Sequence, residues 1–426
     1  MLLLGGMTFL GALGAALVLA VHHVPQAGPL VANSLRAVIG IEAVAHLEET
    51  VAAVEDRVMR MRGEPPRSLS SLSPTIVGAS KGPGAASVLP VSIETAVASF
   101  EPDGRVPPLA PAPGLAEPMA PVFVPVAVKA PFPEVAAQGD GVWVPVPDPE
   151  RPEAAPVMYK TLIHPDPERP YAEIFVVAMP SSLVKLRSVP GTEEPASENP
   201  AVQGIAHRGF IPSDQRGELL AAFNGGFRAE HGHHGMMVDG VTIVPPRFDM
   251  CTVAGYEDGS LQIGTYSRLA ALSQKPVWYR QSPRCMVEQG ALHPGLRDPN
   301  ARGWGATLEG ETVINRSAIA LSEDGEALFV AVTNFTTARA LALGMRAAGG
   351  HNVAQLDVNR SFPKFLLFPR DESGARRAAT LFKGFLFDRE EMIDEPNPRD
   401  FFYVVRRRIE ERTEVAPEAH AANQAG

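Results

Sequence analysis

The sequence predicts the α+β fold class: a sheet-rich mixed domain with a few flanking helices, preceded by an N-terminal transmembrane helix, an amphipathic helix and a Pro-rich linker. Three observations lead to this expectation. Short strand-type segments separated by turn signals fill most of the chain after residue 139. Helical periodicity within that part is rare and is clearest at residues 337–348. The 41 prolines are about twice the usual share and are unevenly spread.

The N-terminal end of the chain is apolar. Residues 1–21 carry no charged side chain, and a run of about 20 apolar residues can cross a bilayer as a helix. No Lys or Arg precedes the run, so the positive region of a signal peptide is missing, although residues 18–20 offer a cleavage site. We expect a transmembrane anchor or a signal peptide at 1–21. The domain would then be periplasmic or extracellular on a single-pass membrane protein, or secreted after cleavage.

Two further segments precede the expected domain. Residues 30–62 predict an amphipathic helix, because apolar residues from Val44 to Met61 alternate three and four positions apart. This seam suits packing on the chain's own domain or on a second copy, so the oligomeric state stays open. Residues 63–138 are rich in Pro and Ala without periodicity, which is typical of an extended linker.

Composition limits the classes of function. The net charge of −10 and the lack of a dense basic run argue against a nucleic-acid partner. A hydrophobic content of 45% allows a sizeable core, expected over 139–409 and followed by a disordered tail at 410–426. Cys251 and Cys285 permit one disulfide, which an exported location favours. Two separate buried thiols are the alternative.

The stretch at residues 221–240 contains the first candidate site. A strand-type run ends in Asn224, Gly225 and Gly226, and glycine lets backbone N–H groups come close to a ligand because it has no Cβ. A plain hairpin turn is the alternative, since Asn-Gly is also a strong hairpin signal.

Three histidines follow on the same glycine-rich loop: His231, His233 and His234. Neighbouring imidazoles can ligate a metal, but a zinc site needs three or four regularly spaced ligands, and no Cys pair or HExxH accompanies them. We expect no cofactor, with a divalent metal as the minority alternative. A histidine that donates a proton or a hydrogen bond to substrate is favoured.

Polar residues also stand at strand ends further along the chain. Asp357 and Asn359 follow an apolar strand, where a catalytic carboxylate is common and an Asx-turn is the equal alternative. Arg280 and Arg316 lie beside predicted strands and are candidates for anion binding, because a guanidinium matches phosphate oxygens bidentately. A structural ion pair is the commoner role of a single arginine.

Five segments in order carry a resemblance to a known family. They are FNGGF at 223–227, HGHHGMMVDG at 231–240, WYRQ at 278–281, NRSAIALSEDG at 315–325 and AQLDVN at 354–359. Together they resemble the phosphodiester glycosidase family of the uncovering-enzyme type, in a bacterial membrane-anchored branch. The family's Leu-Asp-Gly-Gly-Gly-Ser is here the sequence LDVNRS at 356–361.

The resemblance implies hydrolysis at an anomeric carbon whose leaving group is a phosphate ester. Such a reaction needs a carboxylate near the oxocarbenium-like centre or the water, and cations for the phosphate. It implies Asp357 as the carboxylate, Arg316 as the phosphate clamp and Asn224 as a holder of sugar or phosphate oxygens. The amides of Gly225 and Gly226 would assist Asn224. The remaining substrate-binding candidates are His231, His233, His234, Arg280 and Asn359.

Three functions are consistent with these residues. The first is an extracytoplasmic hydrolase that cleaves a sugar-1-phosphodiester in an envelope glycan or polysaccharide. The second is a non-catalytic glycan-binding or scaffold protein that kept the fold. The third is a metal-dependent phosphodiesterase that uses the histidine cluster. The expected partners are a carbohydrate phosphodiester and, through the N-terminal helix, a membrane.

Overall fold

The structure is a computed structural model that describes residues 41–73, 123–148, 150–151, 153–297, 303–304, 313–359 and 361–407. Its α-helices are α1 (Ile41–Arg62), α2 (Leu69–Leu72), α3 (Tyr266–Leu269) and α4 (Ala338–Ala347). Short 3-10 helices cover Pro133–Val135, Pro200–Gly204, Ser213–Glu218, Ala229–His231 and Pro294–Arg297.

Eighteen strands make up the described part of the sheets. They are β1 (Val144–Val146), β2 (Met158–Ile163), β3 (Glu173–Pro180), β4 (Val184–Val189), β5 (Leu219–Asn224), β6 (Met236–Val238), β7 (Val241–Val244), β8 (Cys251–Gly255), β9 (Leu261–Thr265), β10 (Trp278–Ser282), β11 (Val287–Glu288), β12 (Ala291–Leu292), β13 (Arg316–Leu321), β14 (Ala327–Asn334), β15 (Asn352–Val358), β16 (Phe365–Leu367), β17 (Ala379–Thr380) and β18 (Phe401–Arg406).

These strands form three sheets. Sheet 1 has the order β1-β2-β3-β14-β13-β15-β11-β12, sheet 2 has β7-β6-β10-β8-β9, and sheet 3 has β17-β16-β5-β18-β4. Every pairing between these strands is antiparallel. Tight turns join several neighbours, as between β6 and β7, where Asp239 and Gly240 both have positive φ (50° and 76°).

The central strands of sheet 1 separate two hydrophobic cores. Strand β3 is buried along its whole length, and successive side chains of a strand point to opposite faces. Phe175 and Val177 therefore lie in the main core, whereas Ile174 and Val176 lie in a second core. Sheets 2 and 3 contribute to the main core, and helix α4 covers the second.

Helix α4 begins and ends where local signals predict. The side chain of Thr337 accepts a hydrogen bond from the amide of Ala340 at 3.0 Å, which satisfies one free N–H at the helix start. Leu341 and Met345 are fully buried against sheet 1. Gly349, with φ of 106°, follows the helix, and glycine tolerates this left-handed conformation.

The predicted α+β class with a membrane-spanning helix is wrong. The described residues form a sheet-rich fold with few helices, and between 123 and 407 only α4 exceeds four residues among the described α-helices. Helices are few because the strands pair antiparallel, and antiparallel neighbours can be joined by short turns rather than by helical crossovers. No described helix is long and apolar enough to cross a membrane. The predicted span at 1–21 and the predicted tail at 410–426 lie outside the described residues.

Helix α1 contacts the domain through its polar side. Asp56 is 9% exposed, and its carboxylate accepts hydrogen bonds from Nε of Arg169 at 2.8 Å and from the hydroxyl of Tyr171 at 2.5 Å. Val54 and Met61, two members of the apolar seam, are exposed. The helix therefore docks by a buried ion pair, with Val54 and Met61 of its seam exposed to solvent.

Parts of the range 63–138, predicted as a linker, also contact the domain. Leu69 and Leu72 of α2 are buried in the main core. Arg67 forms a two-point ion pair with Glu173 at 2.8 and 2.7 Å, although Glu173 is fully buried. Val128 is buried in the second core. Described residues before position 74 and after position 122 are thus in contact with the sheets.

Candidate functional site

Asn224 ends strand β5 and connects sheet 3 to sheet 1. Its Nδ2 donates to Oγ of Ser317 at 2.7 Å and to the carbonyl of Gly225 at 3.1 Å. Its Oδ1 accepts from the amide of Lys364 at 3.1 Å, and the side chain is fully buried. Ser317 in turn donates to the carbonyl of Asp357 at 3.0 Å. Asn224 therefore holds the end of β15 in place through Ser317.

Asp357 lies at an irregularity in sheet 1. Arg316 pairs with Val358 while Ala318 pairs with Gln355, so two steps on β13 oppose three on β15. Such a bulge changes the direction of a side chain and is common beside active sites. The amide of Asp357 donates to the carbonyl of Gly225 at 3.1 Å. The bulge and this bond bring the carboxylate to the Asn-Gly-Gly segment.

The carboxyl of Asp357 has an unusual environment. Burial raises the pKa of Asp357 to about 6, and this effect exceeds the opposite one of the nearby Arg399 guanidinium. Oδ2 of Asp357 lies 2.8 Å from Nη2 of Arg399, yet it accepts no hydrogen bond from the described residues. The carboxyl thus has a pKa close to neutral pH, which is a property of a catalytic acid or base.

Arg399 is the cation beside this carboxylate. Its guanidinium lies over the ring of Phe362 at 4.1 Å, and its Nη2 donates to the carbonyl of Gly226 at 3.3 Å. Its Nε has no hydrogen-bond partner among the described residues. The side chain is 14% exposed. Arg399 therefore combines a fixed position with partial exposure to solvent.

Arg280 serves the structure rather than a ligand. It is 1% exposed and forms a two-point ion pair with Asp400, from Nε at 2.8 Å and from Nη2 at 3.1 Å. It also donates to the carbonyls of Phe227, at 2.5 Å, and His234, at 3.0 Å. These bonds occupy the fork that the sequence suggested for phosphate.

The two glycines after Asn224 make room for this ion pair. A Cβ at Gly225 would lie 2.0 Å from Oδ2 of Asp400, and one at Gly226 would lie 2.7 Å from Cζ of Arg280. The amide of Gly226 donates to Oδ2 of Asp400 at 2.9 Å. The glycines are therefore required for close packing against protein groups.

Arg316 is also bonded within the protein. Its guanidinium donates to the carbonyls of Thr336, at 3.0 Å, and Trp304, and to Oε1 of Gln355 at 3.0 Å. Arg316 is not among the groups with the largest effects on the pKa of Asp357, which include Arg399, Asp400 and Arg280. The bonds of Arg316 thus lead to the start of α4, away from the Asn-Gly-Gly segment.

The three histidines differ in their surroundings. Burial lowers the pKa of His234 to about 3, helped by the positive charge of Arg280, so His234 is neutral at ordinary pH. Nε2 of His231 lies 3.6 Å from a carboxylate oxygen of Glu230, and His233 has positive φ. No group of three or more His, Cys, Asp or Glu residues in the described part of the chain is arranged to hold a metal.

The Asx-turn considered at Asn359 and the disulfide expected between Cys251 and Cys285 are both present. Asn359 accepts hydrogen bonds from the amide of Ser361 at 2.9 Å and from its hydroxyl at 3.1 Å, which is the pattern of an Asx-turn. Cys251 and Cys285 form a disulfide between the start of β8 and the segment after β10.

The structure therefore brings Asn224, Gly225, Gly226, Arg280 and Asp357 together. It adds Arg399 and Asp400, which the sequence analysis missed. The available signal was a pair of opposite charges, Arg399 and Asp400, directly before a strand and after Asn397-Pro398. The partners of both residues lie far away in sequence, as with Gly226, which is 174 residues from Asp400.

Comparisons with known proteins give distant structural similarities. No family model matches the sequence, and no curated protein matches it. The chain is similar to the zebrafish N-acetylglucosamine-1-phosphodiester alpha-N-acetylglucosaminidase catalytic domain auto-inhibited by its pro-peptide, with TM-score 0.39 and 13% identity, over 60% of this chain and 85% of that one. A hypothetical protein from Synechocystis gives TM-score 0.34 and 12% identity, over 60% and 65%. A putative exported protein from Burkholderia pseudomallei gives 0.27 and 11%, over 59% and 75%. Similarities of this size do not assign an activity.

Proposed function

We propose that this protein is an extracytoplasmic hydrolase that cleaves a sugar-1-phosphodiester, with Asp357 as the reacting carboxylate and Arg399 as the phosphate-binding cation. The observation that carries the proposal is the state of Asp357. It is a buried carboxyl with a pKa of about 6 and a guanidinium 2.8 Å away. The resemblance of the five sequence segments to phosphodiester glycosidases supports the choice of substrate class.

The reaction breaks the bond between the anomeric carbon and a phosphate oxygen. The phosphate leaves with the bonding electron pair, and water supplies the new hydroxyl group at the carbon. A phosphodiester leaving group needs little protonation, so the carboxylate acts ionised and takes the proton of the water. At neutral pH most of Asp357 is ionised, because its pKa of about 6 lies below 7.

Arg399 supplies the positive charge for the leaving group in place of Arg316. Its side chain is 14% exposed and can meet a phosphate oxygen, whereas Arg316 is 1% exposed and bonded to carbonyls. Stacking on Phe362 restricts the guanidinium to one plane. A fixed cation stabilises developing charge without reorganisation during the reaction.

Three further residues of the site, Asn224, Asp400 and His234, have positioning roles in this proposal. Asn224 fixes the end of β15 through Ser317, and Asp400 fixes Arg280 and the amide of Gly226. His234 is neutral, so it can orient a substrate by a hydrogen bond but cannot act as a cationic acid at neutral pH. Its Nδ1 has no partner among the described residues.

The test is turnover of a chromogenic sugar-1-phosphodiester panel by the purified protein. We expect hydrolysis by the wild type, loss in Asp357→Asn, and full activity in Asp324→Asn. Asp324 is a suitable control because it lies in an exposed turn where Asn can make the same bonds. Equal rates in wild type and Asp357→Asn would contradict the proposal. Loss of activity with a chelator would support the metal-dependent alternative instead.

A non-catalytic glycan-binding protein is the second candidate. One observation favours it: both arginines predicted to bind phosphate, Arg280 and Arg316, donate to protein groups. Under this candidate the wild type hydrolyses none of the panel, and Asp357→Asn binds glycans as well as the wild type does.

A further inference from the structure

Helix α1 carries a regular apolar stripe, here named the α1 seam, which the described part of the fold leaves largely uncovered. The seam consists of Val44, Leu47, Val51, Val54, Val58 and Met61, which alternate three and four positions apart. Val51, Val54 and Met61 are 46%, 57% and 72% exposed, and Val58 is half-buried. Single exposed apolar side chains are common, but several on one stripe of a helix indicate an interaction surface.

The domain holds α1 by the side opposite this seam. Ala52 and Asp56 are buried, and Asp56 pairs with Arg169 at 2.8 Å. With 3.6 residues per turn, the centre of the seam lies roughly 160° around the helix from Ala52 and Asp56. If two copies bring their seams together, each domain therefore lies on the outer side of its own helix.

The spacing of the seam fits a second helix. Apolar residues that alternate three and four positions apart form the a and d positions of a heptad, whose side chains insert between those of a facing helix. A short helix alone in water is marginally stable, but the ion pair of Asp56 with Arg169 already fixes α1 on the domain. The seam is thus ordered before it meets a partner, which lowers the entropic cost of association.

Charge favours a second copy of α1 in antiparallel orientation. The acidic residues of α1 all precede its arginines: Glu42, Glu48, Glu49, Glu55 and Asp56 come before Arg57, Arg60 and Arg62. An antiparallel pair places the arginine end of each helix beside the acidic end of the other. A parallel pair would instead place Arg57 beside the partner's Arg62, because these g and e positions flank the same part of a parallel seam.

The same charges argue against a lipid surface as the occupant of the seam. Helices that lie in a membrane interface are typically rich in Lys and Arg on their polar face. Helix α1 has more carboxylates than arginines, and Glu48 and Glu55 each directly follow a residue of the seam. Anionic headgroups would repel these carboxylates. A second copy is the occupant that fits both the spacing and the charge.

We propose that α1 joins two copies of this protein by an antiparallel pairing of their seams. In this dimer Val44 of one copy lies opposite Met61 of the other, and Val51 lies opposite Val54. The inference is independent of hydrolysis at Asp357, because it uses no residue of that site. The seam is short, so the dimer is reversible and its fraction depends on protein concentration.

The orientation is tested by disulfide trapping in the full chain. The two native cysteines, Cys251 and Cys285, are bonded to each other, so a cysteine added to α1 is the single free thiol. Val44→Cys and Met61→Cys chains are mixed, with a mass tag on one of them, and oxidised mildly. We expect mainly the mixed crosslink. A parallel pair would crosslink each variant with itself.

Association is measured by sedimentation velocity of the full chain over a range of concentrations. We expect the wild type to change from monomer to dimer as its concentration rises. Val54→Glu should raise the dissociation constant by about tenfold or more, because it places a charge in the apolar seam. Ala53→Glu is the matched control. It introduces the same residue at an exposed position outside the seam and should dimerise as the wild type does.

Folding of both variants is monitored by thermal unfolding at a concentration where the wild type is monomeric. Val54→Glu and Ala53→Glu should unfold close to the wild-type temperature, because both positions are exposed on the monomer.

Three results would overturn the inference. A wild type that stays monomeric at every concentration would mean that another segment of the chain, or lipid, covers the seam. Dimers that form equally well in Val54→Glu would place the contact elsewhere. Crosslinks of each cysteine variant with itself, without the mixed product, would show a parallel pair.

Discussion

Asp400 holds Arg280 through two parallel hydrogen bonds, at 2.8 and 3.1 Å, with both side chains 1% exposed. The same carboxylate accepts the amide of Gly226 at 2.9 Å. A buried ion pair is stable only when its geometry is good and its remaining donors are bonded, and Arg280 meets this condition through its carbonyl partners. The pair therefore fixes the segment that follows Asn224 relative to β10 and β18.

Gly225→Ala should destabilise the protein by about 3 kcal/mol or more, because its Cβ would meet the side chain and carbonyl of Asp400 at 2.0 and 2.5 Å. Gly217→Ala is the matched control, since a Cβ there meets nothing within 4 Å. Its effect should stay within about 0.5 kcal/mol. Denaturant unfolding of the two variants measures both values, and equal stabilities would refute the packing role of Gly225.

Asp357→Asn should be more stable than the wild type at pH 7. The folded protein holds the Asp357 proton up to about pH 6, whereas the unfolded chain loses it near 3.8. The wild type is therefore penalised progressively as pH rises from about 4 to 6, by an amount of the order of 3 kcal/mol. The gain in Asp357→Asn should appear at pH 7 and shrink at pH 4 in unfolding experiments. A gain that is the same at both pH values would contradict the assigned titration.

The pH dependence of kcat/KM should show one rising limb with an apparent pKa of about 6. The limb follows from Asp357, whose ionised form is the active one in the proposed reaction. His234 should add no limb between pH 5 and 8, because its pKa is lowered to about 3. A profile that instead falls through pH 6 would make the protonated carboxyl the active form.

Arg399 and Arg316 should respond differently to substitution. Arg399→Ala should lower kcat/KM for phosphodiesters by roughly 100-fold or more, as removal of a charge-stabilising donor does elsewhere, and should also lower stability because it leaves the buried Asp357 carboxylate without its ion-pair partner. Arg316→Ala should lower stability by about 3 kcal/mol or more, because it leaves buried carbonyls and Gln355 without a donor. Rates and unfolding curves of both variants decide the assignment. The reverse pattern would restore Arg316 as the phosphate-binding residue.

Removal of the disulfide between Cys251 and Cys285 should lower stability. The bridge closes a separation of 34 residues, which is worth about 4 kcal/mol in the chain-entropy account. The double variant Cys251→Ala, Cys285→Ala should therefore unfold at a lower denaturant concentration than the oxidised wild type. A reductant should lower the wild type's stability and leave the double variant unchanged. Insensitivity of the wild type would show that the bond is not formed in solution.

Local features of this molecule were predictable from the sequence, because neighbours in the chain create them. Thr337 caps the start of helix α4 by accepting a backbone N–H, and the helix ends before Gly349. The turn at Asp239 and Gly240 follows from the ability of both residues to adopt positive φ. Asp357 lies close to the end of a buried strand, as the apolar run before it indicates.

The charged contacts of the site were not predictable in the same way. Asp400 bonds to Arg280 across 120 residues and to Gly226 across 174, and no periodicity encodes such pairings. The bulge in β15 also decides where Asp357 points, and one extra residue in a strand leaves no mark on the apolar pattern. A lone arginine in a sequence does not show whether its donors meet a ligand or a carbonyl, as Arg316 and Arg399 illustrate.

The docking of α1 and α2 determines where this protein can be divided. A fragment that starts at Gly139, the boundary suggested by composition, loses Asp56, one of the two carboxylates paired with the buried Arg169, and Arg67, the ion-pair partner of the buried Glu173. Removing one partner of a buried pair costs about 3–5 kcal/mol, and the missing Leu69 and Leu72 side chains would leave part of the main core open to water. The smallest part of the chain that we expect to fold on its own therefore includes α1 and α2. These two helices contribute no strand, yet they are needed to cover buried groups of the sheets.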